Sequence, residues 1–156
     1  MLEFAHALTG TVIAYKFQNP ILGLSFALAS HFAADILPHW NFSLDDEKEK
    51  YGKISKNTIY FLVADSFLGL CLGLYTASKA YPNFGKIAVV LAGGLLGVLP
   101  DLVEAPFYFL GFKNKYIDKL LAFQKSHQWN VSFWPGVISQ IVFVVFLLLV
   151  VCNNWF

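Results

Sequence analysis

The stretch SHFAADILPHW, Ser30 to Trp40, sets His31, Asp35 and His39 at intervals of four. Residues four apart share one face of an α-helix, so His31 and Asp35 address a single point, with His39 a turn further on, just past Pro38. An imidazole and a carboxylate brought together by backbone geometry alone make a chelate for a divalent ion. The same pair serves equally well to hydrogen-bond neighbouring helices, and spacing does not separate the two roles.

Cost and convergence bear on the choice. His6, Asp65, Asp101 and Glu104 also stand in apolar runs, where ionisable groups are expensive and face a partner, a bundle interior or a watery cavity. Apart from Lys16, at the far end of the first run, those runs hold no basic side chain, so a bound cation would supply the missing charge. Asp101 and Glu104, three apart, share a helical face, and Pro100 before them removes a backbone hydrogen bond and loosens the helix there. Asp65 has the alternative of capping or bridging helices, and His127, in KSHQWN, that of an exposed loop histidine. Cys71 and Cys152 have no metal-ligand spacing and read as packing residues.

The elements that carry these residues follow from hydropathy. With 57% hydrophobic and only 13% charged residues, the chain is far from the balance of a soluble domain. The uncharged run FWPGVISQIVFVVFLLLVVC is long enough to cross ~30 Å of hydrocarbon. The fold expected is all-α and integral to the membrane, with about five transmembrane helices in one domain, near residues 2–17, 21–38, 59–78, 87–110 and 133–152. The first is short, roughly 24 Å at the helical rise per residue. Residues 113–127 place Tyr116, Ile117, Leu120, Leu121 and Phe123 among lysines, the pattern of an interfacial helix on anionic lipid. The loop SLDDEKEKYGKISKNT reads as a solvated turn, and Trp40, Trp129, Trp134 and Trp155 as an interfacial aromatic belt.

Five spans put eight lysines on one side of the membrane and Lys16, Lys79 and Lys86 on the other. The bias sets the N terminus in the cytoplasm and the C terminus outside. His6, Asp35, His39, Asp65, Asp101, Glu104 and His127 all gather at one membrane face. A net charge of +1 gives no argument for nucleic acid.

A tandem repeat also emerges. Pro20 to Pro38 and Pro82 to Pro100 are equally spaced, Gly23 and Gly85 each follow the first proline by three, and HALTG falls on DSFLG. The first four spans then read as two parallel helical hairpins, with His39 matching Asp101 and His6 matching Asp65. Opposite His31 and Asp35 the second copy has Gly93 and Gly97, small enough to admit another helix or a ligand.

An early histidine, the HFAAD helix, an LPD at a helix end followed by a further acid, and a late histidine together resemble the membrane-bound metal-dependent hydrolases of the bacterial inner membrane, the group whose founding example is LexA-regulated. The similarity covers roughly residues 4–40 and 95–130. The resemblance implies a hydrolase with a divalent metal held by His6, His31, Asp35 and Asp101, and zinc is the metal expected. The family's PDxDH run stands here as PDLVE, its loop histidine pair is represented by His127, and the order of motifs differs. The HxxxD element is also similar to that of zinc-dependent phospholipases C.

The leading expectation is therefore a membrane-embedded hydrolase whose metal lowers the pKa of water. Glu104 or Asp65 would be general base or second ligand, and His39 or His127 general acid or phosphate contact. Membrane lipid is the implied partner, and a phospholipid or other amphiphilic ester the implied substrate. Two other classes remain open: a small cation or proton transporter or channel subunit, and a non-catalytic protein with a structural His/Asp metal site. No glycine-rich phosphate loop, nucleophilic triad or redox-cofactor motif occurs.

Overall fold

A computed structural model describes residues 1–153, so Trp155 lies outside the described residues. These form seven helices: α1 (Glu3–Lys16), α2 (Pro20–Asp35), α3 (Leu44–Tyr51), α4 (Lys56–Ser78), α5 (Phe84–Leu110), α6 (Lys115–His127) and α7 (Phe133–Cys152). Local chemistry sets most of their starts. Asn19 accepts from the amides of Ile21 and Leu22 ahead of Pro20, Ser55 accepts from Thr58, Asn83 from Lys86 and Asn114 from Tyr116.

Three helices, α4, α5 and α7, are long and apolar enough to cross a membrane, against the five expected. The correction concerns α1 and α2. Their 14 and 16 residues reach only ~21 and ~24 Å. α1 ends at Lys16 because Asn19 and Pro20 restart the chain as α2, and α2 stops at Asp35, three residues before Pro38, which disfavours helix at the residue before it. α1 is also an interior element, with Ala5, His6, Leu8 and Ala14 all buried, packed against α2, α4, α5 and α7.

The outside of the molecule is largely apolar, and its interior holds many polar groups beside apolar clusters such as that of Leu8, Val12 and Val151. Val63 and Phe67 of α4, Leu95 of α5, and Ile138 and Val142 of α7 are exposed, whereas Thr9, Thr11, His31, Asp65, Thr76 and Gln140 are buried. A protein in water hides the first group and exposes the second, so this inversion suits lipid surroundings.

Glycines let α1 lie against α5. A Cβ at Gly10 would overlap the Gly93 carbonyl oxygen, and one at Gly97 would sit 2.5 Å from the His6 carbonyl oxygen. The room expected at Gly93 and Gly97 is thus filled by a helix. The two proposed hairpins part company at their second prolines, since α5 continues helical through Pro100 whereas α2 has already ended.

The polar loop is a second correction, for residues 44–51 are helical. Ser43 caps α3, Asp45, Asp46 and Glu47 fill its first turn, Lys48 and Lys50 its last, and Gly52 ends it at φ 70°. Lys48 Nζ donates to the carbonyl oxygens of Phe107 and Tyr108, tying α3 to the end of α5. Trp40 packs edge-on against Phe42 and Phe133, with ring centroids 4.7 and 4.9 Å away. The amphipathic segment at 113–127 is present as α6, with Ile117 and Gln124 buried.

Candidate metal centre

Four segments bring the site together at one end of the bundle. α1 supplies His6, the last turn of α2 supplies His31 and Asp35, α5 supplies Asp101, and the extended chain after α2 supplies His39. His39 is therefore not on the helix of His31 and Asp35. It returns to them because residues 129–131 clasp the segment: Trp129 N–H donates to the Asp35 carbonyl, His39 N–H to the Trp129 carbonyl, and Val131 N–H to the His39 carbonyl. Gly136 of α7 gives that strand room, as a Cβ there would overlap the Trp40 amide nitrogen and lie 2.7 Å from the His39 carbonyl carbon.

Asp35 is the hub. Its Oδ1 lies 3.3 Å from His6 Nε2, 3.7 Å from His39 Nε2 and 2.5 Å from the Met1 amino nitrogen, and its Oδ2 lies 3.7 Å from His31 Nε2. His31 Nε2 is also 3.5 Å from Asp101 Oδ1. Ligand atoms of His6, His31 and Asp101 all fall within 4.8 Å of one another. Two donors on one tetrahedral zinc stand about 3.3 Å apart at ordinary Zn–N and Zn–O lengths, so these separations leave room for an ion between the groups, though direct His–carboxylate pairs share them.

Hydrogen bonding fixes how the rings point. His31 Nδ1 donates to the Gly97 carbonyl at 2.8 Å, and His39 Nδ1 donates to the Leu37 carbonyl at 2.8 Å. In a neutral ring each Nε2 then carries a lone pair, turned toward carboxylate oxygens. Backbone-anchored Nδ1–H groups are what orient metal-ligating histidines. The His6 ring stacks on His31 with centroids 4.0 Å apart, and neither of its nitrogens has a hydrogen-bond partner. Burial holds the His39 imidazole below the ordinary histidine range, which keeps it neutral and able to ligate.

Among the described residues, the buried side-chain polar atoms without a hydrogen-bond partner are both ring nitrogens of His6, Nε2 of His31, Nε2 of His39 and Oε1 of Glu104. Buried polar atoms are nearly always paired, and unpaired ring nitrogens beside two carboxylates are an arrangement that a cation would complete, although the Met1 amino group already faces Asp35 Oδ1. His6, His31 and Asp101 have the donor types and spacing to hold a divalent ion.

Compared with models of known protein families, with curated proteins and with solved structures, the chain matches none. The assignment of this site therefore stands on its geometry.

The other expected residues separate. Glu104 is buried and lines a cavity of about 810 Å³ that Asp101 shares, so Asp101 belongs to both cluster and cavity. Asp65 lines the same cavity, and its two oxygens accept from the amides of Glu3 and Phe4 at 2.8 and 3.0 Å. It thus caps α1, which has no cap of its own. His127 ends α6 exposed, its Nδ1 2.9 Å from the Phe123 carbonyl oxygen, and is not brought into the cluster.

Sequence reasoning missed the glutamines and Glu3. Gln124 Nε2 donates to Asp101 Oδ1 at 3.2 Å, Gln128 Nε2 approaches Asp35 Oδ2 at 3.5 Å, and Gln140 accepts from the Leu2 amide while donating to the Trp40 carbonyl. An uncharged glutamine in an apolar helix, as at 140, was the available signal. Glu3 lines the cavity one turn before His6.

These supports predict that Gly136→Ala, which pushes on the chain at His39 and Trp40, weakens zinc binding about tenfold, the loss typical when a ligand's support is disturbed. Titration against a competing chelator measures it. An unchanged affinity would show that His39 contributes nothing to holding the ion.

Proposed function

We propose that this protein is a membrane-embedded metal-dependent hydrolase acting on a phospholipid or other amphiphilic ester at the level of the headgroups. The observation that carries the reading is the convergence of the His6, His31 and His39 ring nitrogens on Asp35 and Asp101, with Asp101 also forming part of a cavity wall. An ion held only for packing has no need of a cavity. The resemblance to the inner-membrane hydrolase group agrees with this assignment.

His6, His31 and Asp101 would hold the ion, with Asp35 setting the orientation of the histidines around it. A divalent ion, zinc on the chemistry of these ligands, supplies Lewis acidity that acidifies water and offsets charge on a reacting oxygen. Asp101 brings that chemistry to the cavity, and Gln124 fixes its Oδ1. Asp65 spends one lone pair of each oxygen on α1 and retains others for a proton from water. The lysine asymmetry favours a cytoplasmic-face site, with the N terminus cytoplasmic, the C terminus outside and α6 lying on anionic lipid, and the resemblance suggests a bacterial inner membrane.

The test is hydrolysis. Zinc-loaded protein in micelles should cleave at least one class among phosphodiester and carboxylic-ester amphiphiles, and Asp101→Asn should lower that rate about a hundredfold or more, beyond the usual effect of disturbing an outer partner. Full activity of Asp101→Asn on every substrate cleaved by the wild type would overturn the reading.

A further inference from the structure

The lining of the cavity is of two kinds. Acids come from four helices: Glu3 of α1, Asp45 and Asp46 of α3, Asp65 of α4, and Asp101 and Glu104 of α5. The cationic groups among the lining residues are Lys125, whose Nζ lies 3.7 Å from Asp45 Oδ2, and the Met1 amino group, 2.5 Å from Asp35 Oδ1. Apolar side chains complete the lining, among them Ile59 and Val63 on α4 and Leu102 and Phe109 on α5. These four are also exposed on the molecule's outer face, continuous with the apolar surface of the two long helices. An occupant must therefore present an apolar part toward the lipid side and a polar part to the acids.

Hydrogen-bonding chemistry decides which polar part. Carboxyl groups line the cavity from α1, α3, α4 and α5, so a headgroup rich in N–H donors suits them better than one that mainly accepts. Glu104 sharpens the choice, being 6% exposed, with an Oε1 that has no hydrogen-bond partner although Glu104 lines the cavity. A buried carboxylate oxygen without a partner calls for a donor, and a primary ammonium offers three N–H groups where a trimethylammonium offers none.

We propose that the cavity receives a membrane lipid whose headgroup ends in a primary ammonium, with that ammonium donating to Glu104 and the acyl chains leaving between α4 and α5. This rests on the hydrolase reading only in so far as the bound lipid is the substrate. Glu104 then recognises the headgroup and is neither the general base nor the second ligand that the sequence left open for it or Asp65, and proton uptake falls to Asp65.

The experiment measures binding and turnover separately. Zinc-loaded protein in detergent is titrated with glycerophosphoethanolamine and glycerophosphoglycerol by calorimetry, and assayed on mixed micelles of phosphatidylethanolamine, phosphatidylcholine or phosphatidylglycerol. The expected result is at least about tenfold tighter binding of the ethanolamine compound, the scale of a hydrogen bond to a charged group. Glu104→Gln, checked to retain its zinc, should abolish that preference while changing glycerophosphoglycerol binding little. Equal binding of the two compounds by the wild type overturns the proposal, whether or not the variant folds. So does an equal loss of turnover on all three lipids in Glu104→Gln, which would return Glu104 to proton transfer. Selective binding without hydrolysis of any lipid would keep the ammonium site and overturn the hydrolase reading alone.

Discussion

Purified without chelators, the protein is expected to carry on the order of one divalent ion per chain, and His31→Ala/Asp35→Ala essentially none. His31 and Asp35 are the pair to remove because every contact in the cluster passes through one of them. His31 reaches both Asp35 and Asp101, and Asp35 reaches His6, His31 and His39. The wild-type geometry sets the buried imidazole nitrogens 3.3 to 3.7 Å from carboxylate oxygens, with the lone pairs of His31 and His39 fixed toward them by their bonded Nδ1–H groups. A cation lying between, or rings that carry a proton on Nε2 beside the Met1 ammonium, would each sustain that arrangement. Metal analysis by mass spectrometry distinguishes the two. Chelation should also lower the melting temperature in detergent, because an ion at a hundred times its Kd stabilises the native state by about 2.7 kcal/mol. Zinc should restore the wild type and not the double variant. No ion in either protein after zinc add-back would leave the cluster as a charged hydrogen-bonding network, and the hydrolase would lose its basis.

How much of this was legible in the sequence depends on whether a residue acts through local spacing or through distant chain. The His31–Asp35 pair was legible because the interval of four is a helical property, whereas the gathering of ionisable groups was expected from a count of five spans and included His127, which stays exposed on α6. Gly93 and Gly97 were legible as places of close approach, since small residues in an apolar helix have little other use. His39 was not legible in its actual role. Extrapolating the helix put it a turn beyond Asp35, whereas the chain leaves the helix at Asp35 and is brought back by residues 129–131, about ninety positions later. No local pattern encodes that clasp. For Asp65 the sequence left both a functional carboxylate and a helix cap open, and its oxygens do cap α1 from another segment, which meets part of the cost of burying it. The helix α3 is a different case: Ser43, the acids at 45–47, the lysines at 48 and 50 and Gly52 carry every start and stop signal of a helix. Polarity hid it, since a short charged helix lacks the apolar stripe by which helices are usually recognised. The number of spans failed on length, because hydropathy treats a buried interior helix such as α1 and a lipid-facing one alike.

Gly97→Ala should be among the most damaging single-methyl additions to this chain, costing about 1–3 kcal/mol and loosening the ion as well. The added Cβ would stand 2.5 Å from the His6 carbonyl oxygen and 3.3 Å from Gly10 Cα, both backbone atoms of α1, so no side-chain rotation relieves the overlap. α1 must move away from α5, and α1 carries His6. The Gly97 carbonyl also accepts from His31 Nδ1, so the same displacement disturbs the bond that holds His31 Nε2 toward Asp35 and Asp101. Stability and metal affinity should therefore fall together, as a lower melting temperature for the zinc-free protein and roughly tenfold weaker zinc binding. Gly85→Ala is the contrasting substitution, because its nearest neighbour is Asn83 Oδ1 at 3.5 Å, ordinary contact, and alanine is the better helix former. It should leave zinc affinity unchanged and stability equal or slightly higher. If Gly97→Ala melted and bound zinc like the wild type, α1 and α5 could not be packed backbone to backbone at this point, and His6 would lose the placement on which the metal centre depends.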